Sequence, residues 1–179
     1  MVSLNILFWM MVILFGVIGS MRGWAKELLV SFGVILASFL ITLLERFVPF
    51  IRDSIAFNGG APSFWMRSII LVVAVFFAYQ TPNLAKLAGS NRFARERLQD
   101  TLLGLFLGAV NGYLIFGSLW FYLDAAGYPF THIVTAPPLG PDGDAARALI
   151  QLLPPHWLGT PGIYFAVAIA FAFVLVVFI

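Results

Sequence analysis

One uncharged apolar stretch constrains this chain more than any other feature. Residues 101–123 read TLLGLFLGAVNGYLIFGSLWFYL and contain no Asp, Glu, Lys or Arg. An α-helix of this length reaches about 34 Å, which is enough to cross a hydrocarbon core of about 30 Å. Gly104, Gly108 and Gly112 recur at every fourth position, so they lie on one helix face. Because small residues let backbones approach closely in lipid, we predict a central membrane helix whose glycine face packs against its neighbours.

The composition places the whole chain in the membrane class. Of its 179 residues, 61% are hydrophobic and only 10% are charged, whereas about a quarter of the residues of a soluble domain are charged. We therefore predict an all-α integral membrane protein, with four to five transmembrane helices and short interfacial helices in a single domain, 1–179. The net charge of +2 is too small and scattered to indicate nucleic-acid binding. The absence of cysteine excludes thiol chemistry.

Hydropathy and helix-breaking residues predict five spans, at residues 4–20, 28–44, 66–80, 101–123 and 162–179. Between the second and third spans, a mixture of aromatic and charged residues indicates a short helix in the headgroup region. A second interfacial helix is predicted over 145–153, with Asp144 as its N-cap and an apolar face formed by Ala145, Ala148, Leu149 and Leu152. The last span ends without a basic or aromatic anchor, which indicates that the chain continues beyond it.

The distribution of basic residues predicts the orientation in the membrane. The loops after the first and third spans carry six basic residues: Arg22, Lys26, Lys86, Arg92, Arg95 and Arg97. The loops after the second and fourth spans carry four: Arg46, Arg52, Arg67 and Arg147. Because loops rich in Lys and Arg stay in the cytoplasm, this bias predicts a multi-pass protein with its N-terminus outside.

A few polar and small residues inside the spans are candidates for specific roles. Gly33 and Ala37 form a second small-residue pair for helix packing. Asn111 lies near the middle of its span, where a polar side chain must face the bundle. It either hydrogen-bonds helices to one another or lines a polar path. The same two alternatives apply to the helix face that carries Ser31, Ser38 and Thr42.

Four charged residues are expected near the cytoplasmic interface: Arg22, Glu27, Arg97 and Asp100. They either contact lipid headgroups and fix the topology, or form an ion-pair cluster that locks the first turn to the fourth helix. In the second case we expect Arg22 to pair with Asp100, because a carboxylate at a helix N-terminus and a nearby guanidinium attract each other.

The sequence contains no recognisable catalytic motif. GxSxG, HExxH and glycine-rich phosphate loops are absent, so we predict a protein that is not an enzyme and has no cofactor or metal. His132 and His156 lie in the long loop before the last span. They are either solvated side chains or weak candidates for ligands of a pigment or haem.

Two stretches together suggest a family. They read GSMRGWAKELLVSFGVILASFL, with Arg22-Gly23 followed by Glu27, and QDTLLGLFLGAVNG, with Asp100 followed by the three spaced glycines. In order and spacing they resemble the colicin V production protein (CvpA) family of bacterial inner-membrane proteins, over residues 4–123. The resemblance implies four helices, an outside N-terminus, and a role in toxin production and envelope stress. Asn111 stands where that family often has arginine, and the fifth span is additional.

We therefore expect a non-enzymatic inner-membrane protein that acts through helix–helix contacts. Its partners would be membrane lipid and other membrane-protein subunits, or copies of itself. One alternative is an accessory subunit of a respiratory or photosynthetic electron-transfer complex. Another is a small oligomeric transporter or channel, which would need polar residues that converge in the middle of the membrane.

Overall fold

Helices make up nearly all of the computed structural model, which describes residues 4–56, 59–80 and 94–178. Within these ranges there is no β-strand, and the prediction of an all-α membrane bundle is confirmed. The helices are α1 (Leu4–Arg22), α2 (Trp24–Phe47), a short π-helix (Ile51–Ala56), α3 (Gly60–Tyr79), α4 (Ala94–Ala125), α5 (Pro141–Ile150), α6 (Pro154–Trp157) and α7 (Gly162–Phe178). The loop residues Lys86 and Arg92 lie outside the described ranges.

Four helices are long and apolar enough to cross a membrane: α1, α2, α3 and residues 97–125 of α4. Three of them extend well beyond the predicted spans, because charged residues that mark ends in a hydropathy scan lie within the helices. Glu27 belongs to the first turn of α2, and Arg67 follows the first two turns of α3. We call the end where α1 and α3 begin the Glu45 end of the bundle, and the opposite end the Arg22 end.

The closest helix pair is α1 with α4, and glycines make the approach possible. A Cβ atom added to Gly19 would lie 2.7 Å from Gly108 Cα, and one added to Gly112 would lie 2.9 Å from Val12 Cα. A Cβ on Gly104 would lie 3.2 Å from Gly23 Cα and still closer to the carbonyl oxygen of Gly19. The glycine face of α4 therefore packs against the backbone of α1, where no side chain separates the two helices.

The main apolar core lies between α2, α3 and α4. Its buried residues are Val30, Val34, Ala37 and Ile41 from α2, Leu71 from α3, and Leu114, Ile115 and Tyr122 from α4. Gly33 faces α3, since a Cβ there would lie 2.7 Å from Ala78 Cβ. Ala37 has no exposed surface. The second small-residue pair thus lies on packed faces of α2.

The long loop after α4 folds back onto the bundle, which corrects two predictions. Helix α5 begins at Pro141, whose fixed φ suits a first helical position, and Gly140 is its N-cap. Asp144 does not cap it, because this carboxylate accepts a hydrogen bond from Arg147 Nη2 at 2.6 Å. Ile150 at the end of α5 and Leu153 just after it are buried and pack with Phe8 and Trp120. Of the predicted face, Leu149 packs against these residues, whereas Ala145, Ala148 and Leu152 are exposed.

Side chains of α4 hold this loop in place. Tyr113 donates a hydrogen bond to the carbonyl oxygen of Leu152 and accepts one from Trp157 Nε1 at 3.1 Å. Trp120 Nε1 donates to the Tyr128 hydroxyl at 3.2 Å, and burial raises the pKa of Tyr128 to about 12. The predicted surface helix is therefore part of the packed structure at the Glu45 end.

Helix α7 is attached along one side. It packs mainly against α2, through Phe173 on Phe32 and Tyr164 on Phe39, with ring centroids 5.5 and 6.0 Å apart. Its apolar helix is shorter than the four candidate spans. Most of its large side chains are exposed, including Phe165, Ile169, Phe171 and Val176.

Candidate functional site

A cluster of polar side chains lies inside the bundle near the Arg22 end. Its members are Arg22 from α1, Glu27 and Ser31 from α2, Tyr79 from α3 and Asn111 from α4, and we call it the Glu27 cluster. Glu27 and Asn111 each have 0% exposed surface. Because a charged or amide group inside a helical membrane bundle is costly without partners, this cluster is the candidate functional site among the described residues.

Asn111 joins α4 to α2 through three hydrogen bonds. Its Nδ2 donates to the Glu27 carboxylate Oε2 and to the Glu27 carbonyl oxygen, both at 2.8 Å. Its Oδ1 accepts a hydrogen bond from Ser31 Oγ at 2.7 Å. Both ends of the amide are therefore satisfied, as a buried side-chain amide requires.

Arg22 balances the charge of Glu27. The guanidinium Nη1 lies 2.7 Å from Glu27 Oε1, and Nη2 donates to the carbonyl oxygen of Tyr79 at 3.3 Å. The guanidinium carbon also lies 4.2 Å from the centroid of the Tyr79 ring. The Tyr79 hydroxyl donates to Glu27 Oε2 at 3.4 Å. Through these contacts α1, α2, α3 and α4 all meet at one carboxylate.

The turn between α1 and α2 corrects the expected pairing of Arg22 with Asp100. Arg22 forms its ion pair with Glu27, within the same hairpin. Asp100 Oδ1 accepts a hydrogen bond from the backbone N–H of Trp24 at 3.3 Å. The first N–H groups of a helix have no intrahelical partner. Asp100, which belongs to α4, therefore accepts a hydrogen bond from one of these groups at the start of α2.

Gly23 makes the contact between Asp100 and the start of α2 possible. Its φ of +85° is strained for residues with a side chain, and a Cβ atom there would lie 2.9 Å from Asp100 Oδ1. The structure therefore brings three of the four predicted charged residues, Arg22, Glu27 and Asp100, to one region. The fourth, Arg97, is exposed.

A second polar cluster lies at the Glu45 end and was not foreseen from the sequence. Arg67 Nε lies 2.6 Å from Glu45 Oε1, with the two side chains 16% and 26% exposed. The Arg67 guanidinium carbon lies 5.9 Å from the centroid of the Tyr122 ring. In the sequence Glu45 and Arg67 look like ordinary interfacial charges, and only their positions on packed helices reveal the pair.

Other residues of the Glu27 cluster and of the α1–α4 contact were also missed. Tyr79 is the last residue of α3, and its position there resembles that of any interfacial aromatic residue. Gly16 and Gly19 are both buried against α4. Their spacing of three positions on an apolar helix was a usable signal, since small residues three or four positions apart share a face.

The two histidines lie apart from both clusters. His132 and His156 are exposed, the first in a turn and the second in α6. Among the described residues, no group of three or more His, Cys, Asp or Glu could hold a metal ion. The Glu27 cluster instead links helices by hydrogen bonds and one ion pair.

Comparison with known proteins identified no relative of this chain. No protein-family model, curated protein or solved structure matches the chain.

Proposed function

We propose that this chain is a non-enzymatic bacterial inner-membrane protein of the colicin V production type, which acts through helix–helix contacts with membrane partners. The observation that carries the proposal is that the polar groups of the Glu27 cluster bond to one another. Glu27 accepts from Arg22, Tyr79 and Asn111, and Asn111 also accepts from Ser31. A network whose polar groups hydrogen-bond to one another holds the helices together. Its carboxylate is then bound by protein groups.

The meeting of the two motif stretches supports the family part of the proposal. Arg22, Gly23 and Glu27 come from the first stretch and Asp100 and the spaced glycines from the second. In space, Gly19 contacts Gly104 and Gly108, and Gly23 contacts Asp100.

The partner contacts are assigned to the open groove between α2 and α7. Seven residues line it: Phe32, Ile35, Leu36, Val167, Ala170, Phe171 and Val174. Because α7 is held along one side, the groove and the outer face of α7 offer an apolar surface with a small residue at its floor. Such surfaces suit a partner helix that associates by close packing.

Cross-linking in the native membrane tests this assignment. The chain has no cysteine, so one cysteine in place of Phe171 carries a thiol-directed photo-crosslinker at a single position. Phe106→Cys on α4 is the matched control, since Phe171 is 65% exposed and Phe106 is 64% exposed. We expect defined protein adducts from Phe171→Cys and mainly lipid adducts from Phe106→Cys.

The identity of the adducts separates the alternatives. A dimer of this chain indicates a homo-oligomer, and an adduct with subunits of an electron-transfer complex favours an accessory subunit. If both variants yield only lipid adducts, the proposal of partner contacts at α7 is wrong. The N-terminus-outside orientation is part of the same proposal and has its own test below.

A transporter or channel is the second candidate, and one observation favours it. Ser68 on α3 and Ser118 on α4 are buried, and their hydroxyl oxygens have no hydrogen bond of good geometry to the described protein groups, although the Tyr122 hydroxyl lies within reach of Ser118. This feature belongs to the interior of the bundle, away from the Glu27 cluster.

A further inference from the structure

The interface between α2, α3 and α4 alternates between polar and apolar layers. The apolar layer consists of Val34, Leu71 and Ile115, which are at most 5% exposed. One turn closer to the Glu45 end, each of the same three helices carries a serine: Ser38, Ser68 and Ser118. We call these three residues the serine layer. On the other side of the apolar layer lie Ser31 and Asn111 of the Glu27 cluster.

The serine layer contains more hydrogen-bonding capacity than the surrounding protein uses. Ser118 is 1% exposed and Ser68 is 6% exposed. Their Oγ atoms have no hydrogen-bond partner of acceptable geometry among the described residues. Ser38 donates to the carbonyl oxygen of Val34 at 3.0 Å, so its oxygen keeps lone pairs that can accept. The Tyr122 hydroxyl lies beside Ser38 and Ser118.

A polar route connects this layer to the end of the bundle. On α2, Ser38, Thr42 and Glu45 follow one another at spacings of four and three, so they share a helix face. Glu45 pairs with Arg67, and both side chains remain partly exposed. The route therefore begins at a partly exposed ion pair and ends at the buried hydroxyls.

We propose that the α2/α3/α4 interface at the Glu45 end is a water-binding half-channel that reaches inward to the serine layer and stops at the apolar layer. Water is the ligand class that fits, because it is small and both donates and accepts hydrogen bonds. A buried water typically makes two to four such bonds to polar groups. A dry hydroxyl without a partner is costly inside a membrane.

The apolar layer explains why the half-channel is closed on one side. Ser31 and Ser38 lie about 10 Å apart along α2 at 1.5 Å per residue, and Val34 occupies the depth between them. Leu71 and Ile115 fill the same depth from α3 and α4. Water would reach the middle of the bundle from the Glu45 end without crossing. This inference goes beyond the proposed function and does not depend on partner contacts.

Cysteine accessibility tests the proposal directly, because the parent chain contains no cysteine. Ser118→Cys and Ser68→Cys are reconstituted in liposomes and treated with 2-aminoethyl methanethiosulfonate, a small water-soluble thiol reagent. Ala37→Cys is the control for a dry core at similar depth, since Ala37 has 0% exposure. Leu40→Cys, at a position that is 41% exposed, is the control for the lipid-facing side.

We expect both serine-layer variants to react at least about tenfold faster than the two controls, because thiolate formation needs water at the site. Rates equal to that of Ala37→Cys, in variants that elute as folded protein, would overturn the proposal.

Alanine variants provide a second measurement that needs no reagent. If the hydroxyls bind water, Ser118→Ala and Ser68→Ala remove bonded groups, and the Tm stays the same or falls. If the hydroxyls are dry, the same changes remove an unsatisfied polar group and the Tm rises. A higher Tm for both variants would contradict the half-channel.

Discussion

At the scale of single residues, Glu27 is the side chain that links the four helices of the bundle. From the sequence it was expected at the membrane interface, at the start of a helix. In the structure its carboxylate is fully buried and accepts hydrogen bonds from three other helices. Asn111 lies 84 positions away in the chain, and no local pattern links the two residues. The burial of Asn111 could be predicted from its place in a span, but its partner could not.

The first prediction concerns the ion pair between Arg22 and Glu27. Arg22→Met leaves a buried carboxylate without its counter-charge, and removing one partner of a buried pair costs roughly 3 kcal/mol or more. Adding Glu27→Gln removes the uncompensated charge. We therefore expect the double variant to be more stable than the sum of the single changes implies, with a coupling of roughly 0.5–3 kcal/mol.

Thermal unfolding in a single detergent measures this coupling. The control is the equivalent cycle on Arg52 and Asp53, an ion pair whose side chains are 56% and 60% exposed. Because exposed pairs contribute little, its coupling should be clearly smaller. Additive effects at Arg22 and Glu27 would show that the two residues act separately.

At the scale of elements, the contact between α1 and α4 follows from glycine geometry. The face formed by Gly104, Gly108 and Gly112 could be predicted from its spacing, since residues four positions apart stack on a helix. The partner helix could not be predicted, because all the spans are apolar around most of their circumference. The choice of α1 depends on Gly16 and Gly19, which allow backbone contact.

The second prediction compares two glycines of this interface that differ in the room available for an added side chain. A Cβ added to Gly108 would lie 2.9 Å from Gly19 Cα and even closer to the carbonyl oxygen of Phe15. We expect Gly108→Ala to destabilise the protein by about 1–3 kcal/mol, as for other overpacked cores, and Gly108→Leu to destabilise it more.

Gly16→Ala is the matched control on the facing helix. A Cβ there would lie 3.4 Å from the Leu105 carbonyl oxygen and 3.5 Å from Ala109 Cβ, which are ordinary contacts. Alanine is also the better helix former, so we expect unchanged or higher stability in the same thermal assay. Equal losses at Gly16 and Gly108 would contradict the packing described for α1 and α4.

The loop helix α5 shows where sequence rules fail at this scale. Its existence was predicted from the Asp144 signal, but its start at Pro141 and most of its buried contacts were not. Ile150 and Leu153 are buried because the loop turns back onto Phe8 and Trp120. This long-range contact outweighs the local pattern, since only Leu149 of the predicted face packs against the cluster and Ala145, Ala148 and Leu152 are exposed.

At the scale of the whole molecule, the two ion pairs mark the two ends of the bundle. Glu27 and Glu45 are both on α2, about 27 Å apart along a straight helix at 1.5 Å per residue. That separation is close to the thickness of a hydrocarbon core of about 30 Å. Each glutamate pairs with an arginine from another helix, Arg22 or Arg67. The two ion pairs therefore lie about one hydrocarbon thickness apart along α2.

The third prediction is the orientation of this bundle. The excess of basic residues in the loops of the Arg22 end favours the cytoplasm for that end, and the N-terminus outside. In intact cells, a membrane-impermeant maleimide should label Ser3→Cys from the outside. Lys26→Cys, at the Arg22 end, should be labelled only after permeabilisation. The reverse pattern for the two variants would invert the topology.

The pairing of α1 with α4 also sets an order of assembly during synthesis. Helices α1 and α2 emerge from the ribosome first, yet the backbone surface around Gly16 and Gly19 of α1 is covered by α4, which is translated much later. Until α4 has entered the bilayer, the newborn hairpin carries an uncovered glycine surface and an Arg22–Glu27 pair that still lacks Asn111. Nascent chains arrested before residue 94 should therefore be the form of this protein that insertion factors hold longest.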